Sequence, residues 1–387
     1  MTTRTAHVML VAGEASGDLH GSALAGGLQA LHPGVRLTGM GGPRMARAGV
    51  ALLADVRDTA VVGFSEAVAR LPGLWRTFRR LVSALERERP DVVVLIDFPG
   101  FNLRLAAVAR AAGIPVVYFV PPQVWAWRPG RLQAIRRHVA LVLAVLPFEP
   151  PLYHVAGVPA EFVGHPAVDQ LATAPSRAAA RRALGLAEDD VVVGLLPGSR
   201  AQEIERLAPL MRDAARRLAD RRPRVRFLVA LAPTVDRAAV ARRLAGLPPV
   251  DLHAGGPAPV IRAADVLIVA SGTATLEAAL LGTPMVVCYR VSPVTEAIGR
   301  AVCRVPWISL VNLVLGRAVV PELYRRRDTT GERLADEALR LLDDSAARAV
   351  QEEAFAELRQ AMGEPGAGRR AAARVLGAAG LGVEAAG

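Results

Sequence analysis

The stretch "DVVVLIDFPGFNLRL" at residues 91–105 decides the fold class of this chain. Its apolar run at 92–96 leads straight into Asp97, and Phe98, Pro99 and Phe101 follow closely. An unbroken aliphatic run of this length is typical of a parallel strand that is buried on both faces. The segment that follows these aromatic residues, "NLRLAAVARAAG" at 102–113, has helical periodicity. The stretch therefore predicts a strand, a loop and a helix, with a carboxylate where the strand ends.

The same alternation of short aliphatic runs and longer amphipathic runs extends in both directions along the chain. The runs predicted as strands include "HVMLVAG" (7–13), "IPVVYFV" (114–120), "VALVLAVLPF" (139–148), "VVVGLLP" (191–197), "VRFLVALAP" (225–233) and "PMVVCYR" (284–290). Strands that alternate with helices predict parallel sheets covered by helices on both faces. The chain is accordingly assigned to the α/β class.

A segment dense in proline and glycine at 148–171 interrupts this rhythm and is typical of a hinge. We therefore expect two doubly wound, Rossmann-like domains, at 1–165 and 166–335. The remaining residues, 336–387, predict a helical tail that packs back on the first domain or on a partner subunit. Two such domains facing each other place a ligand cleft between the carboxyl ends of their sheets.

The composition narrows the classes of function. All 47 lysine-plus-arginine positions are arginine, which excludes a Schiff-base lysine and a Walker-type phosphate lysine. The formal net charge of +11 is spread along helical stretches rather than gathered in a basic module, so nucleic acid is not expected as a partner. Two cysteines are too few for a disulfide framework or a CxxC metal site.

The hydropathy of the chain predicts a soluble cytoplasmic protein. Its N-terminal apolar run is too short for a signal peptide and is interpreted as the first strand. No apolar run reaches the roughly 20 residues that span a bilayer. Contact with a membrane surface stays open.

Two loops of the first half carry acids where strands end. In "VAGEASGDLHG" (11–21), Glu14 and Asp18 would repel a phosphate, so this loop with Ser16 suits sugar hydroxyls, or else is a plain capped turn. Asp97 stands beside aromatic residues that reduce its hydration and raise its basicity, as a general base requires. The alternative is a helix N-cap, a task for which Asn102 is better suited.

The third loop of the first half, "VPPQVWAWRPGR" at 120–131, is aromatic. Trp125 and Trp127 follow two prolines and form a rigid wall that suits a sugar ring or an apolar channel. Packing of both rings in the core is the alternative interpretation.

Two loops of the second half suit a nucleotide diphosphate. In "LLPGSRAQEI" (195–204), the amides of Gly198 and Ser199 lie near a helix start, and Arg200 adds a fixed charge. The alternative is an ordinary turn with a surface arginine.

The second of these loops is "ASGTATLEAALLGTP" at 270–284. Ser271, Gly272 and Thr273 open a helix and are able to bind phosphate oxygens, and Glu277 lies one turn further along. An acid in that place accepts hydrogen bonds from ribose hydroxyls. A solvated helix acid is the alternative.

The helical stretch at 63–78 pairs apolar residues with arginines, as a helix at a membrane interface does. The residues expected to face lipid are Val68, Leu71, Leu74, Trp75 and Phe78. Core packing explains the same spacing.

Several motifs, in this order and near this spacing, resemble the bacterial lipid-A-disaccharide synthase family, glycosyltransferase family 19, over residues 6–325. They are "GEASGD", "GMGGPRM", "DFPGFN", "VWAWR", "FVGHP", "LLPGSR", "SGTATLEAALLGTPMVV" and "VPELY". The resemblance implies a GT-B fold and an inverting, metal-independent transfer with no cofactor. The substrates implied are UDP-2,3-diacylglucosamine and 2,3-diacylglucosamine 1-phosphate, at the inner face of the cytoplasmic membrane.

The resemblance also implies roles for particular residues. Asp97 would be the catalytic base, Arg200 would bind the UDP diphosphate, and Glu277 and Asn312 would lie in the donor site. Glu14, Ser16 and Asp18 would line the centre of the cleft. Members of the family are able to exchange C-terminal regions in a homodimer, which the tail of this chain also permits.

Two positions depart from the family pattern. Arg325 stands where glutamine is frequent, and Gln123 stands where a small residue is usual. Two rival functions remain: a UDP-sugar 2-epimerase on the same architecture, and a non-enzymatic nucleotide-sugar sensor. An epimerase has no use for an apolar helix at 63–78, and a sensor has no use for a base at Asp97.

Overall fold

The chain folds into two compact units. The computed structural model describes residues 5–56, 64–127, 130–232, 235–246, 250–303 and 305–381. Unit 1 comprises Met1–Asp169 and Glu364–Gly387, and unit 2 comprises Gln170–Gly363. The division lies a few residues beyond the predicted boundary at 165/166.

Unit 1 contains a parallel sheet of seven strands in the order β3-β2-β1-β4-β5-β6-β7. The strands are β1 His7–Ala12, β2 Arg36–Gly41, β3 Ala51–Asp55, β4 Val92–Ile96, β5 Val116–Phe119, β6 Leu141–Ala144 and β7 Ala160–Phe162. The helices are α1 Ala15–Leu31, α2 Pro43–Arg47, α3 Phe64–Glu88, α4 Pro99–Ala111, α5 Val124–Trp127, α6 Gly130–His138 and α7 Glu149–Val155. Every residue of β1 and β4 is buried, as their aliphatic runs predict.

Unit 2 contains a parallel sheet of six strands in the order β10-β9-β8-β11-β12-β13. The strands are β8 Val192–Leu196, β9 Arg226–Ala230, β10 Val250–His253, β11 Val266–Ala270, β12 Met285–Cys288 and β13 Glu322–Leu323. The helices begin with α8 Pro166–Leu171 at the junction and continue with α9 Arg177–Ala183, α10 Ala201–Arg221, α11 Arg237–Arg243, α12 Pro257–Ala263, α13 Thr273–Leu281, α14 Pro293–Val302, α15 Leu310–Leu315, α16 Gly331–Asp343 and α17 Ser345–Met362.

Both sheets are doubly wound, as predicted. In unit 1 the chain order reverses between β1 and β4, and in unit 2 it reverses between β8 and β11. Ligands of open α/β sheets bind outside the carboxyl ends of the strands at such a reversal. The loops found there are the "GEAS" and Asp97 loops in unit 1, and the "PGSR" and "SGT" loops in unit 2.

The C-terminal segment does not form one tail on the first domain. α16 and α17 belong to unit 2, where the buried Gln351 accepts a hydrogen bond from Met285 N at 2.9 Å and donates to Met285 O at 3.2 Å. Only the last helix, α18 Ala367–Ala378, returns to unit 1 and packs against α1. Its start is held by Asp169, whose carboxylate accepts from Ala367 N at 3.1 Å. Exchange of this helix between two copies of the chain stays a prediction.

Of the five residues expected to face lipid, two of the three with described side chains pack in the core. Leu74 and Phe78 of α3 are partly buried and pack against the hydrophobic core of unit 1, because they face the sheet. Trp75, by contrast, is 60% exposed. The side chains of Val68 and Leu71 lie outside the described residues. In the described part of the chain, no helix is long and apolar enough to cross a membrane.

α18 and α1 approach each other closely through glycines. A methyl carbon on Gly27 would lie 2.7 Å from the Gly368 carbonyl oxygen, whereas one on the adjacent Gly26 would meet nothing within 4 Å. Alanine substitutions at these two adjacent glycines therefore distinguish the effect of helix propensity from the effect of packing between α1 and α18.

We expect Gly27→Ala to destabilise the protein by about 1–3 kcal/mol, because the α18 backbone must move to accept the methyl group. Gly26→Ala is the matched control and should be neutral or stabilising by up to about 1 kcal/mol, since alanine favours a helix interior. Denaturant unfolding of both variants measures the difference. Equal stability of the two would contradict the close packing of α18 on α1.

Candidate functional site

The backbone turns sharply where β4 ends. Asp97 and Phe98 have φ angles of 53° and 46°, in the left-handed region that disfavours residues with a side chain by roughly 1–2 kcal/mol each. The helix α4 begins at Pro99, with Phe98 as its N-cap residue. The expectation that Asn102 caps this helix is therefore wrong: Asn102 lies inside α4 and is fully buried.

The Phe98 ring explains why the neighbouring loop needs a glycine. A methyl carbon on Gly13 would lie 2.2 Å from ring carbons of Phe98, so the ring lies directly over the Gly13 backbone. Phe98 also stacks on Phe101, with ring centroids 5.6 Å apart. The "GEAS" loop after β1 and the loop after β4 thus fit together only because Gly13 has no side chain.

The half-buried carboxylate of Asp97 lies at the carboxyl end of β4, between these two loops. Its Oδ1 accepts a hydrogen bond from Phe98 N at 2.8 Å, and its Oδ2 lies 3.5 Å from Ser16 Oγ. The structure thus brings together Asp97 and Ser16, which are 81 positions apart in the sequence. Glu14 is exposed as the N-cap residue of α1. A carboxylate in this place, beside aromatic rings, is suited to accept a proton.

Asp18 has a structural task instead of the expected place at the centre of a cleft. It is 4% exposed, and its Oδ1 accepts from Gly42 N at 2.8 Å and from Met45 N at 2.9 Å. Its Oδ2 accepts from Arg44 N at 3.1 Å. The carboxylate therefore caps the first turn of α2, whose amides have no partners within the helix. Backbone donors occupy both oxygens of this buried carboxylate. The structure therefore does not support Asp18 as a ligand for sugar hydroxyls.

The aromatic loop after β5 is fastened to α7. Trp125 Nε1 donates to Glu149 Oε1 at 3.1 Å, and the indole lies edge-on to Phe148 with centroids 5.0 Å apart. The Tyr153 hydroxyl donates to the Pro122 carbonyl at 3.0 Å. Trp125 is half-buried and packed on these residues, and its contact with a sugar ring or an apolar chain stays a prediction. The Trp127 side chain lies outside the described residues.

The sequence interpretation missed Glu149, the acid that holds this loop. It is 1% exposed, and its Oε2 accepts from Leu146 N at 3.1 Å. Burial raises the pKa of its carboxyl group to about 7, although hydrogen bonds from Trp125 and from backbone amides oppose that shift. The "FEPPLY" stretch gives no signal for this, because the burial of Glu149 depends on packing between α5 and α7.

In unit 2, the loop after β8 already holds an internal anion. Glu203 Oε2 accepts from the backbone amides of Ser199 at 3.1 Å and Arg200 at 3.3 Å. Its other oxygen pairs with the Arg200 guanidinium at 2.9 Å. Gly198, with φ of 107°, permits the approach, since a side chain there would meet Glu203. Of the two amides expected to bind a diphosphate, that of Ser199 thus donates to Glu203 at the start of α10, whereas the Arg200 side chain is 73% exposed.

The loop after β11 opens α13 through Gly272, whose φ of 150° favours glycine. Ser271 Oγ donates to the Ile308 carbonyl at 2.6 Å, and Thr273 is exposed as the first helical residue. Glu277 follows one turn later and is half-buried, and burial raises the pKa of its carboxyl group to about 7. A poorly hydrated carboxyl in such a place gains from donors such as ribose hydroxyls.

The Asn312 side chain links neighbouring segments of unit 2 by hydrogen bonds. It is fully buried; its Oδ1 accepts from Val319 N at 2.7 Å and from Val320 N at 3.0 Å. Its Nδ2 donates to Glu322 Oε1 at 2.8 Å. The side-chain amide is therefore engaged in hydrogen bonds within the protein. Asn312 would affect a ligand in the donor site only through the position of the segments that it holds.

Glu322 of "VPELY", to which no role was assigned from the sequence, is the centre of this network. Its two carboxylate oxygens accept from Ile308 N at 2.8 Å and from Ser309 N at 2.9 Å. Since Ser271 is bonded to the Ile308 carbonyl, Glu322 also positions the wall of the loop after β11. The exposed Arg325 lies just beyond, in a turn closed by its own carbonyl.

A half-buried histidine, His20, and a buried one, His165, lie near each other in unit 1. The rings of His20 and His165 have centroids 6.5 Å apart, and His20 also lies edge-on to Phe119. Burial lowers the pKa of His20 to about 4 and that of His165 to about 3, so both are neutral at physiological pH. Among the described residues, no three His, Cys, Asp or Glu side chains cluster as metal ligands.

Glu149 should make stability depend on pH. Its folded-state pKa lies above the ordinary 4.5, so the folded state holds the proton more tightly, and stability falls as the pH rises from 4.5 to 7. We expect Glu149→Gln to remove about 3 kcal/mol of this fall. Urea unfolding between pH 4.5 and 8, followed by tryptophan fluorescence, measures it, with exposed Glu364→Gln as control. Parallel pH profiles of wild type and Glu149→Gln would contradict it.

Solved structures share the fold at low sequence identity. UDP-GlcNAc 2-epimerase from Neisseria meningitidis, bound to UDP-GlcNAc, matches with a TM-score of 0.66 and 14% identity, covering 96% of this chain and 100% of that one. The calicheamicin glycosyltransferase matches with a TM-score of 0.61 and 18% identity, covering 98% and 99%. Both confirm the GT-B type of fold, with its two Rossmann-like units. The fold alone does not separate an epimerase from a transferase.

The sequence comparison does separate the two classes. The lipid-A-disaccharide synthetase family model matches residues 8–373. Lipid-A-disaccharide synthase of Myxococcus xanthus (strain DK1622) is 44% identical over 375 residues, which cover 97% of this chain and 98% of that protein. The enzyme of Syntrophus aciditrophicus (strain SB) is 46% identical over 371 residues, covering 95% and 97%. This chain, with an aspartate at the switch point of one sheet and an arginine loop at that of the other, belongs to the lipid-A-disaccharide synthase family.

Proposed function

We propose that this glycosyltransferase of lipid A biosynthesis joins UDP-2,3-diacylglucosamine to 2,3-diacylglucosamine 1-phosphate. The products are the tetra-acylated disaccharide 1-phosphate and UDP. The observation that carries the proposal is the Asp97 carboxylate, which the left-handed turn after β4 holds at the switch point of unit 1. Family membership supports the class of reaction, and the finer substrates follow from the resemblance of the motifs.

In the proposed reaction, Asp97 takes the proton of the acceptor 6-hydroxyl group as its oxygen attacks the anomeric carbon of the donor. The new glycosidic bond forms on the face opposite to UDP, so the bond between that carbon and the β-phosphate oxygen breaks with inversion. The proton passes to the Asp97 carboxylate and the electron pair leaves with UDP. Ser16, 3.5 Å from Asp97 Oδ2, is placed to orient the carboxylate.

On the donor side, Arg200 neutralises the charge that develops on the departing diphosphate. Its guanidinium is largely exposed and is already oriented by Glu203, which reduces the entropy lost when it binds a ligand. Glu277 accepts hydrogen bonds from the ribose hydroxyls. We propose that Arg200 and the amides at the start of α13 suffice for this task without a metal ion or other cofactor.

The two rival functions differ from the proposed one in what Asp97 does. An epimerase converts a UDP-sugar without an acceptor, so a new sugar isomer would appear with the donor alone. A sensor needs no base and would keep its function in cells after Asp97→Asn. The fold suits all three functions, and the family relatives favour the transferase.

We also propose that the enzyme works as a peripheral protein at the inner face of the cytoplasmic membrane, where both acylated substrates are anchored. The exposed Trp75 on α3 is the described side chain that suits this contact. Aromatic residues with a polar edge favour the membrane interface.

The first prediction concerns the base. Asp97→Asn should lower turnover at least ~10²-fold, the usual scale for a general base, while UDP still binds. Mass spectrometry of the disaccharide formed from the two purified substrates measures it. Asp91→Asn is the matched control, because Asp91 precedes the same strand at its other end and accepts from His7 N. Undiminished turnover in Asp97→Asn would refute the role.

The second prediction concerns the diphosphate. Arg200→Ala should weaken UDP binding at least ~10-fold, because a charge-assisted contact is lost. Isothermal titration calorimetry with UDP measures the affinity. Arg221→Ala, which removes an ion-paired arginine from the other end of α10, is the control. An unchanged affinity in Arg200→Ala would place the diphosphate elsewhere.

The third prediction concerns the membrane. Trp75→Ser should reduce co-sedimentation with anionic phospholipid vesicles several-fold, since the large apolar side chain exposed on the described part of α3 is removed. Val155→Ser is the control, because Val155 is 91% exposed but lies on α7. If both variants sediment like the wild type, α3 does not contact lipid.

A further inference from the structure

The backbone carbonyl of Asp97 receives hydrogen bonds from two buried side chains. The Tyr118 hydroxyl donates to it at 2.6 Å, and Asn102 Nδ2 donates to it at 2.7 Å. Both side chains are 0% exposed. Neither residue is therefore able to touch a substrate, and any effect on the reaction must pass through Asp97.

The Asn102 amide joins the ends of two neighbouring strands. Besides the Asp97 carbonyl, its Nδ2 lies 3.2 Å from the Ile96 carbonyl on β4 and 3.3 Å from the Val11 carbonyl on β1. Its Oδ1 is buried and has no hydrogen-bond partner among the described residues. The reversed amide would set an oxygen against three carbonyl oxygens, so the donor side is fixed. The orientation of the Asn102 amide that satisfies these carbonyls therefore leaves its own Oδ1 without a hydrogen-bond donor among the described residues.

The held carbonyl belongs to the turn that the side chains disfavour. Asp97 and Phe98 both occupy the left-handed region, and such outliers persist only where their surroundings over-determine them. Rotation of Asp97 towards the extended conformation of β4 would carry its carbonyl away from both donors. The two hydrogen bonds therefore favour the turn and fix the place from which the carboxylate extends.

The Tyr118 hydroxyl keeps its proton at every physiological pH. Burial raises its pKa well above the ordinary value, and the negative charge of Asp97 raises it further. Because β5 pairs with β4 and sets Leu95 beside Tyr118, the donor is carried by the rigid sheet rather than by a loop.

We propose that Tyr118 and Asn102 are positioning residues for the Asp97 carboxylate. Their hydrogen bonds to the backbone carbonyl of Asp97 hold the left-handed turn in place during the reaction. This inference rests on the proposed function, in which Asp97 is the base. It assigns to two buried residues an effect on turnover rather than on substrate binding.

The test uses the full-length protein with UDP-2,3-diacylglucosamine and 2,3-diacylglucosamine 1-phosphate. Tyr118→Phe keeps the ring and removes the donor, and we expect kcat to fall at least ~10-fold while both KM values and the UDP affinity stay within ~2-fold. Asn102→Ser removes the other donor and should show the same division between kcat and KM. Unchanged kcat in both variants would overturn the proposal.

A matched control separates positioning from a general loss of stability. Thr38→Val removes another buried hydrogen bond of unit 1, in which Thr38 Oγ1 lies 2.8 Å from His7 Nε2, towards the amino ends of the strands. It should lower the melting temperature about as much as Tyr118→Phe and leave kcat unchanged. An equal fall of kcat in Thr38→Val would assign the effect to stability and overturn the proposal.

A double-mutant cycle with Asp97→Asn completes the test. If Tyr118 acts through the carboxylate, Tyr118→Phe should cost less than ~2-fold in the Asp97→Asn background, against at least ~10-fold in the wild type. The same cost in both backgrounds would overturn the positioning role alone. Full turnover in Asp97→Asn itself would instead refute the proposed function, so the two failures are distinguishable.

Discussion

Two consecutive residues with side chains occupy the left-handed region where β4 ends, and this constraint shapes the whole edge of unit 1. The turn places Phe98 over Gly13, which brings the loop after β1 against the loop after β4. It also directs the Asp97 carbonyl back into the sheet, towards Tyr118 and Asn102. Hydrogen bonds from rigid elements thereby fix the backbone position from which the Asp97 carboxylate extends.

Several polar side chains that suit a ligand are used by the protein itself. Asp18 caps α2, Glu203 caps α10, and Asn312 holds the strand-entry segment at 319–320. Each has the residue type expected of a binding site, because the groups that bind a sugar or a phosphate also satisfy backbone amides. Among the expected donor ligands, Arg200 stays largely exposed and is oriented by Glu203, whereas burial raises the pKa of the half-buried Glu277 carboxyl group.

Much of the fold was predictable from the sequence. The wholly buried strands β1, β4 and β8 were identified from their aliphatic runs, since a strand covered on both faces has few polar positions. Strand β2 was missed because "RLTGMG" contains two glycines, and β13 was missed because its two residues are too few for a periodic signal. The division of the C-terminal helices between units also escaped prediction: the helical pattern of 336–387 shows that helices form, not which surface each covers.

The sequence by itself determined the class of fold and the family, and it indicated the candidate loops of the site, since these depend on local periodicity and on motifs that are contiguous in the chain. Only the tertiary structure decided which side chains within those loops are available. Glu149, Glu322 and Tyr118 gain their roles from partners on other elements. The physical reason is that burial and hydrogen bonding are properties of a place in the fold, and residues distant in sequence create that place.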